Sequence, residues 1–324
     1  MHILITGAAG MIGRKLTARL LADGQIGGAS ITALTLHDII PAVVPALPQP
    51  AAITVTCRAS DLAAPGAAAA LIATRPQVIF HLAGVVSGEA EANFDLGYAV
   101  NLDGMRALLQ AIRAAAFAPR FVYASSIAVF GGPFPEVIPD DFAPTPQSSY
   151  GTQKLIGEVL LSDYTRRGFL DGIGLRLPTI CVRPGLANRA ASSFFSGIIR
   201  EPLHGKSAIL PVPRDVVHTM ASPRAAVGFM LHAATLDTAL LGARHSLTLP
   251  GVAVSVADQI AALSRAAGAQ TTALIRDKPN AAIWAIVRTW PQRFAANRAR
   301  TLGFAAESRF DDIIAAYIAD DLAQ

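Results

Sequence analysis

Short apolar, β-rich runs alternate with helix-period segments through the first half of the chain, and this alternation restricts the possible folds more than any other feature. The runs are 2–6 (HILIT), 31–37 (ITALTLH), 53–57 (ITVTC), 78–83 (VIFHLA), 120–125 (RFVYAS) and 173–177 (IGLRL), with helical patterns between most of them, as at 11–22 and 101–116. Strands separated by helices need right-handed crossovers, and these build a parallel sheet with both faces covered. The expected class is α/β.

After residue 178 the rhythm changes. PTICVRPG leads into an irregular stretch with Pro184, Pro202, Pro211, Pro213 and Pro223, followed by helices and a few strands. The expected organisation is a main domain over 1–180 and a smaller lobe over 181–324 that interleaves with the end of the sheet. The proline-rich stretch 41–52 reads as a surface loop. The 324 residues are 52% hydrophobic, enough to bury a large core without staples.

Composition also excludes several function classes. The net charge is +4, and the 27 Lys and Arg are scattered without a run or aromatic interleaving, which gives nucleic-acid binding little support. Cys57 and Cys181 form no CxxC or His/Cys cluster, so neither a disulfide framework nor a metal site is expected, and both read as buried small apolar residues. No stretch of about 18 apolar residues runs without a charge or a breaker, so no membrane span is expected. MHILITGAAG enters a strand directly, with no secretory pattern, and the expected compartment is cytoplasmic.

The chemistry begins at the first strand. HILIT is followed by Gly7, Gly10 and Gly13 in GAAGMIG and then by the amphipathic RKLTARLLADG. Glycines at this spacing permit a tight turn, close approach of backbone to a pyrophosphate and close packing of helix on strand, while the helix start supplies amide donors. The second strand run leads into Asp38, with no arginine directly after it. A carboxylate there accepts ribose hydroxyls and repels a 2′-phosphate, which favours NAD over NADP. The fold is therefore a Rossmann-type doubly wound sheet. Asp61 has the place to meet an adenine edge, or else to serve as a helix N-cap. In SSYGTQKLIGE, Tyr150 and Lys154 lie one helical turn apart on one face, close enough for the ammonium to act on the phenol.

Together these features resemble the extended short-chain dehydrogenase/reductase family, which includes nucleotide-sugar epimerases and dehydratases. The resemblance rests on TGAAGMIG, Asp38, SDL at 60–62, FHLAG at 80–84, Asn101 in AVNLDG, YASSIAVFG at 123–131, YGTQK at 150–154 and RLPTICVRPG at 176–185. It implies that Tyr150 is the general base, that Lys154 lowers the phenol pKa from its usual ~10 and holds the ribose, and that Ser126 hydrogen-bonds the reacting oxygen. It further implies cofactor contacts from Met11, Ile12, Leu62, Leu82, Ala83, Gly84, Asn101, Ser125, Tyr150, Pro178 and Ile180. Asn101 takes a structural, water-holding role, and His81 reads as a structural histidine. The helices near 89–116 and 149–168 correspond to the pair through which relatives form homodimers.

For the substrate, the residues indicate something small, polar and anionic. ANRAASSFFSGIIREPLHGK at 187–206 puts Arg189 beside small hydroxyl residues ahead of an apolar helical stretch, with Arg183 shortly before, a composition suited to a carboxylate. Gly84-Val85-Val86-Ser87 and Val217-His218-Thr219 depart from the nucleotide-sugar pattern. With SGEAEANFD at 87–95 and FGGPFPEVIPDDFAPTPQSSYG, these stretches are similar to the D-erythronate dehydrogenase subgroup. That implies oxidation of a sugar acid at its 2-hydroxyl, with Ser87, Arg183, Arg189 and His218 as candidate substrate contacts beside Ser126 and Tyr150. Two other readings are a nucleotide-sugar epimerase or dehydratase that retains its NAD, and a non-catalytic NAD-sensing protein, against which the intact Ser126, Tyr150 and Lys154 argue.

Overall fold

Ile3, Leu4 and Ile5 are wholly buried, as are Ile79 and Phe80 and then Phe121, Val122 and Tyr123, so the strands that carry them have no solvent face. The computed structural model describes residues 1–45, 53–185 and 191–322. The Pro-rich stretch 41–52 therefore falls largely outside the described residues, as does Arg189.

A seven-stranded sheet runs in the order Ser246–Thr248, Asp171–Leu177, Arg120–Ser126, Val78–His81, His2–Thr6, Ala33–Asp38 and Thr54–Ala59. The first strand pairs in parallel with both neighbours, His2 to Ala33 on one side and Ile3 to Val78 on the other. The strand order reverses at this point, and such a reversal opens a crevice at the carboxyl ends of the strands. The helix Met11–Asp23 buries Leu16, Leu20 and Leu21. It stops at Gly24, whose φ of 64° is left-handed and whose N–H donates to Leu20 O, a closure that suits glycine. Leu71, Ile72, Leu108, Leu109, Ile112 and Leu161 complete one core around Leu4, Ile79 and Phe121. Each such side chain, once buried, stabilises the fold by about 1.5–3 kcal/mol.

The chain divides into two compact units. One holds 1–129, 148–176 and 227–247, and the other holds 130–147, 177–226 and 248–324. This differs from a single cut at residue 180, because 130–147 goes with the second unit and 227–247 returns to the first. The second unit contains a three-stranded sheet, Val252–Ser255, Val217–Ala221 and Thr179–Ile180, and a parallel pair, Ala208–Leu210 with Ile275–Asp277. Phe195, Ile198, Ile199, Met220, Leu263, Ile313 and Ile314 form its core.

Three local expectations are corrected. Cys57 is exposed, and only Cys181 is buried. Among the described residues Thr54–Ala59 ends the sheet with no strand on its outer side, so a residue type usually found inside lies at the surface. The fourth strand stops at His81 instead of residue 83. The helix expected over 101–116 is a π-helical turn, Ala99–Asp103, leading into Gly104–Ala114. Among the described residues no helix is long and apolar enough to cross a membrane.

Candidate active site

The glycine loop is built from backbone that tolerates no side chain. Gly7 has φ 77°, and a Cβ there would lie 2.6 Å from Ala83 N and from Leu82 C. A Cβ on Gly13 would collide with Gly7 O and lie 2.7 Å from Ala8 Cα. The first helix starts at Met11 behind Gly10, which offers no side-chain cap, so its leading amides are not satisfied by a capping side chain. Asp38 stands beside the loop: one carboxylate oxygen accepts from Ala9 N at 2.9 Å and the other from Ile39 N at 2.7 Å. A crowded glycine cradle, uncapped amides and a carboxylate at the second strand end fit a dinucleotide with free ribose hydroxyls. Gly7, Gly10, Met11, Ile12 and Gly13 would face its phosphates and Asp38 its adenosine ribose.

Asp61 and Leu62 are differently placed. Asp61 Oδ1 accepts from Ala63 N at 2.9 Å and its carbonyl from Ala64 N, which makes a local turn. The next helix starts only at Ala67, so Asp61 is not its N-cap. The Leu62 side chain is buried and is the nearest neighbour of Gly104.

Ser125 and Ser126 end the strand Arg120–Ser126, while Tyr150 and Lys154 sit in the first turns of the helix Ser149–Arg166. Ser148 caps that helix by accepting from Gly151 N at 3.0 Å. Lys154 Nζ donates to Ala124 O at 2.9 Å and lies 5.6 Å from the Tyr150 ring centre and 5.0 Å from that of Tyr123. The serine strand and the Tyr–Lys helix are thus tied together by the lysine. The Ser126 hydroxyl accepts from Ala128 N at 3.1 Å, which orients it locally. Burial lowers the Lys154 pKa to about 8, and the negative charge of Glu158 opposes that fall.

Leu82, Ala83 and Gly84 leave the fourth strand beside these groups. A Cβ on Gly84 would lie 2.8 Å from Asn101 Oδ1 and 3.5 Å from Lys154 Nζ. The Asn101 amide is committed to protein: Oδ1 accepts from Val85 N at 2.9 Å, and Nδ2 donates to Val85 O at 3.2 Å and to Gln153 Oε1 at 2.7 Å. These bonds brace the 84–86 turn. The buried Ser125 hydroxyl donates to Glu158 Oε1 at 2.5 Å. Glu158 in turn accepts a forked pair of bonds from Arg176, with Nη2 to Oε2 at 2.7 Å and Nε to Oε1 at 3.0 Å. Sequence reasoning assigned no role to Gln153, Glu158 or Arg176. The available signal was Glu158 four residues after Lys154 on a helix, a spacing that sets the two side chains on one face.

The remaining candidates divide between the units. Ser87 begins the helix Ser87–Ala92 in the first unit. Pro178, Ile180, Arg183 and His218 belong to the second. Arg183 Nη2 donates to Ser192 Oγ at 2.7 Å, and its main-chain N donates to Ser196 Oγ at 3.0 Å. His218 is buried, its Nδ1–H donating to Pro291 O at 3.1 Å while Nε2 accepts from the Thr179 hydroxyl at 2.7 Å. Phe195 stacks on its ring at 5.3 Å. With both nitrogens held inside the unit, His218 offers neither to a substrate and is corrected to a structural residue. His81 is likewise buried and hydrogen-bonds Thr6 Oγ1 at 2.8 Å. Burial, aided by the Lys154 charge, lowers its pKa to about 3.

Burial also pushes the His218 pKa down to about 4 from an ordinary 6.5. A histidine whose folded pKa is depressed stabilises the fold fully above pH 6.5 and loses that contribution as the pH falls through 4. The loss over that window is about 3 kcal/mol. In urea unfolding at pH 7 and pH 4.5, His218→Gln is expected to lose less stability than the parent chain; equal losses would contradict the assignment.

The model of the NAD dependent epimerase/dehydratase family matches residues 3–221. A D-erythronate dehydrogenase from Cupriavidus necator is 47% identical over 99% of this chain and 98% of its own length. A D-erythronate dehydrogenase from Haemophilus influenzae is 39% identical over 99% of this chain and 100% of its own. The crystal structure of a nucleoside-diphosphate-sugar epimerase from Agrobacterium tumefaciens superposes with a TM-score of 0.96 at 54% identity, covering 100% of this chain and 95% of that one. With the glycine cradle, the Asp38 carboxylate and the Tyr150–Lys154 pair in place, the chain belongs to the NAD dependent epimerase/dehydratase family.

Proposed function

We propose that the protein is an NAD-dependent dehydrogenase of a small sugar acid, oxidising D-erythronate at its 2-hydroxyl to the 2-oxo acid. The observation that carries this reading is the identity of 47% and 39%, over nearly the full length, to two proteins named D-erythronate dehydrogenase. Asp38 favours NAD over NADP, since its carboxylate would repel a 2′-phosphate.

Bound NAD supplies the hydride acceptor. Tyr150 takes the proton of the substrate hydroxyl as general base, and Ser126 donates a hydrogen bond to the oxygen as it becomes a carbonyl. The Lys154 ammonium, 5.6 Å from the Tyr150 ring, stabilises negative charge on the phenol oxygen. Arg183, Arg189 and Ser87 are the groups proposed for the carboxylate and distal hydroxyls, because a guanidinium grips a carboxylate in a fork. Pro178 and Ile180 are proposed cofactor contacts. A homodimer is proposed through the helices carrying exposed apolar Phe94 and Val159. A cytoplasmic setting suits two free cysteines.

The second reading, a nucleotide-sugar epimerase, is favoured by the 54% identity to the Agrobacterium tumefaciens protein named a nucleoside-diphosphate-sugar epimerase. The two readings differ in redox outcome. An epimerase returns its hydride and accumulates no NADH, whereas a dehydrogenase releases one NADH per turnover. Purified protein with NAD and a panel of C4 to C6 sugar acids is expected to raise NADH absorbance stoichiometrically with D-erythronate or a near relative. Silence with every acid, together with interconversion of UDP-glucose and UDP-galactose, would establish the second reading.

A further inference from the structure

Lys154 is an ammonium with almost no access to water. It is only 4% exposed, and its ammonium donates a hydrogen bond to a neutral acceptor, Ala124 O. A buried cation is costly unless a charge of opposite sign lies nearby. Four elements present groups to it. Its own helix contributes Tyr150 and Glu158, and the strand Arg120–Ser126 contributes the Tyr123 ring and the Ala124 carbonyl. The fourth strand contributes His81, which its own burial keeps neutral. The π-turn contributes Asn101, whose Oδ1 lies near the same Gly84 position. Of these, Glu158 is the acid. It lies one helical turn beyond Lys154 and is itself only 4% exposed.

The Glu158 carboxylate is fixed from two strands. Ser125 reaches it from Arg120–Ser126 and Arg176 from Asp171–Leu177, the guanidinium engaging both oxygens. Such forked, charge-assisted bonds set both position and orientation. We propose that Glu158, braced by Ser125 and Arg176, is a positioning residue that acts as the buried counter-charge of Lys154 and keeps it an ammonium beneath the phenol. The brace also links the counter-charge to the residue next to Ser126, so one buried network registers the serine strand against the Tyr–Lys helix. This inference rests on the dehydrogenase reading only for its catalytic consequence; the electrostatic claim stands without it.

The charge on Lys154 can be read directly in the whole chain. Its lysines are Lys15, Lys154, Lys206 and Lys278, so labelling lysine Cε with ¹³C gives few signals, and Lys154→Arg identifies the one in question. The parent signal is expected to titrate near pH 8. Glu158→Gln removes the counter-charge and leaves the Arg176 cation in the brace, so the midpoint is expected to fall by about one pH unit or more. The double variant Glu158→Gln/Arg176→Met leaves no buried charge in the brace. It should fold even if the single variant does not, and its midpoint should lie between the other two. An unmoved midpoint in either folded variant overturns the proposal. NADH formation measured across the same pH range separates the two claims. If the midpoint moves and the alkaline limb of turnover does not follow, the counter-charge stands and the catalytic role of Lys154 fails.

Discussion

Tyr150→Phe is expected to lower turnover by about 10²–10⁴-fold, the usual contribution of a positioned general base. The substitution removes one oxygen and leaves the ring. The Ser148 cap and the Lys154 bond to Ala124 O involve other atoms and should persist. NAD affinity, measured by titration of protein fluorescence, should stay within about two-fold, because the phosphate and ribose contacts proposed for Gly7, Gly10, Gly13 and Asp38 lie elsewhere. This split is what separates a base from a scaffold residue: chemistry is lost and binding is kept. A variant that retains more than about a tenth of the parent turnover would place the base on another residue.

Gly7→Ala has the second large expected effect, and it acts on stability and binding together. A left-handed backbone costs a residue with a Cβ about 1–2 kcal/mol. At Gly7 the added carbon would also meet backbone atoms of Leu82 and Ala83 at 2.6 Å. Those atoms cannot withdraw freely, because Leu82 N donates to Thr6 O at 3.0 Å and so belongs to the edge of the central pairing. Overpacking of this kind adds about 1–3 kcal/mol, so a total loss of about 2–5 kcal/mol is expected in urea unfolding, with NAD affinity reduced. Gly66→Ala is the control. Gly66 has φ 82° but nothing within 4 Å of its Cβ position, so only the backbone cost of about 1–2 kcal/mol should appear. Equal losses in the two variants would mean that the approach of loop to strand end has no part in the cradle.

Residues that act through the nearby chain were legible in the sequence. The glycine loop, Asp38 and the Tyr150–Lys154 pair each depend on spacings of a few residues, and the strands around them bury apolar runs on both faces. The misread features depend on partners far away in sequence. Cys57 looks like any small apolar residue in a β-rich run; its exposure follows from Thr54–Ala59 being the last strand of the sheet, which only the assembled order reveals. His218 reads as a substrate contact because its stretch departs from the nucleotide-sugar pattern, yet Thr179 and Pro291, 39 and 73 residues away, occupy its ring. Glu158 and Gln153 carry no local signal of their bonds to Ser125 and Asn101, because they reach them from the helix Ser149–Arg166, 33 and 52 residues along the chain. The assignment of 130–147 and 227–247 to different units likewise reflects contacts no local pattern encodes.

The most direct measurement follows one hydrogen. D-Erythronate carrying deuterium at C2 is incubated with the protein and NAD, and the mass of the nucleotide product is read. Oxidation at the 2-hydroxyl predicts NADH heavier by one deuterium, formed together with the 2-oxo acid and absent with Tyr150→Phe. Unlabelled NADH would place the oxidation at another carbon. No NADH at all, with the acid recovered unchanged, would contradict the dehydrogenase reading itself.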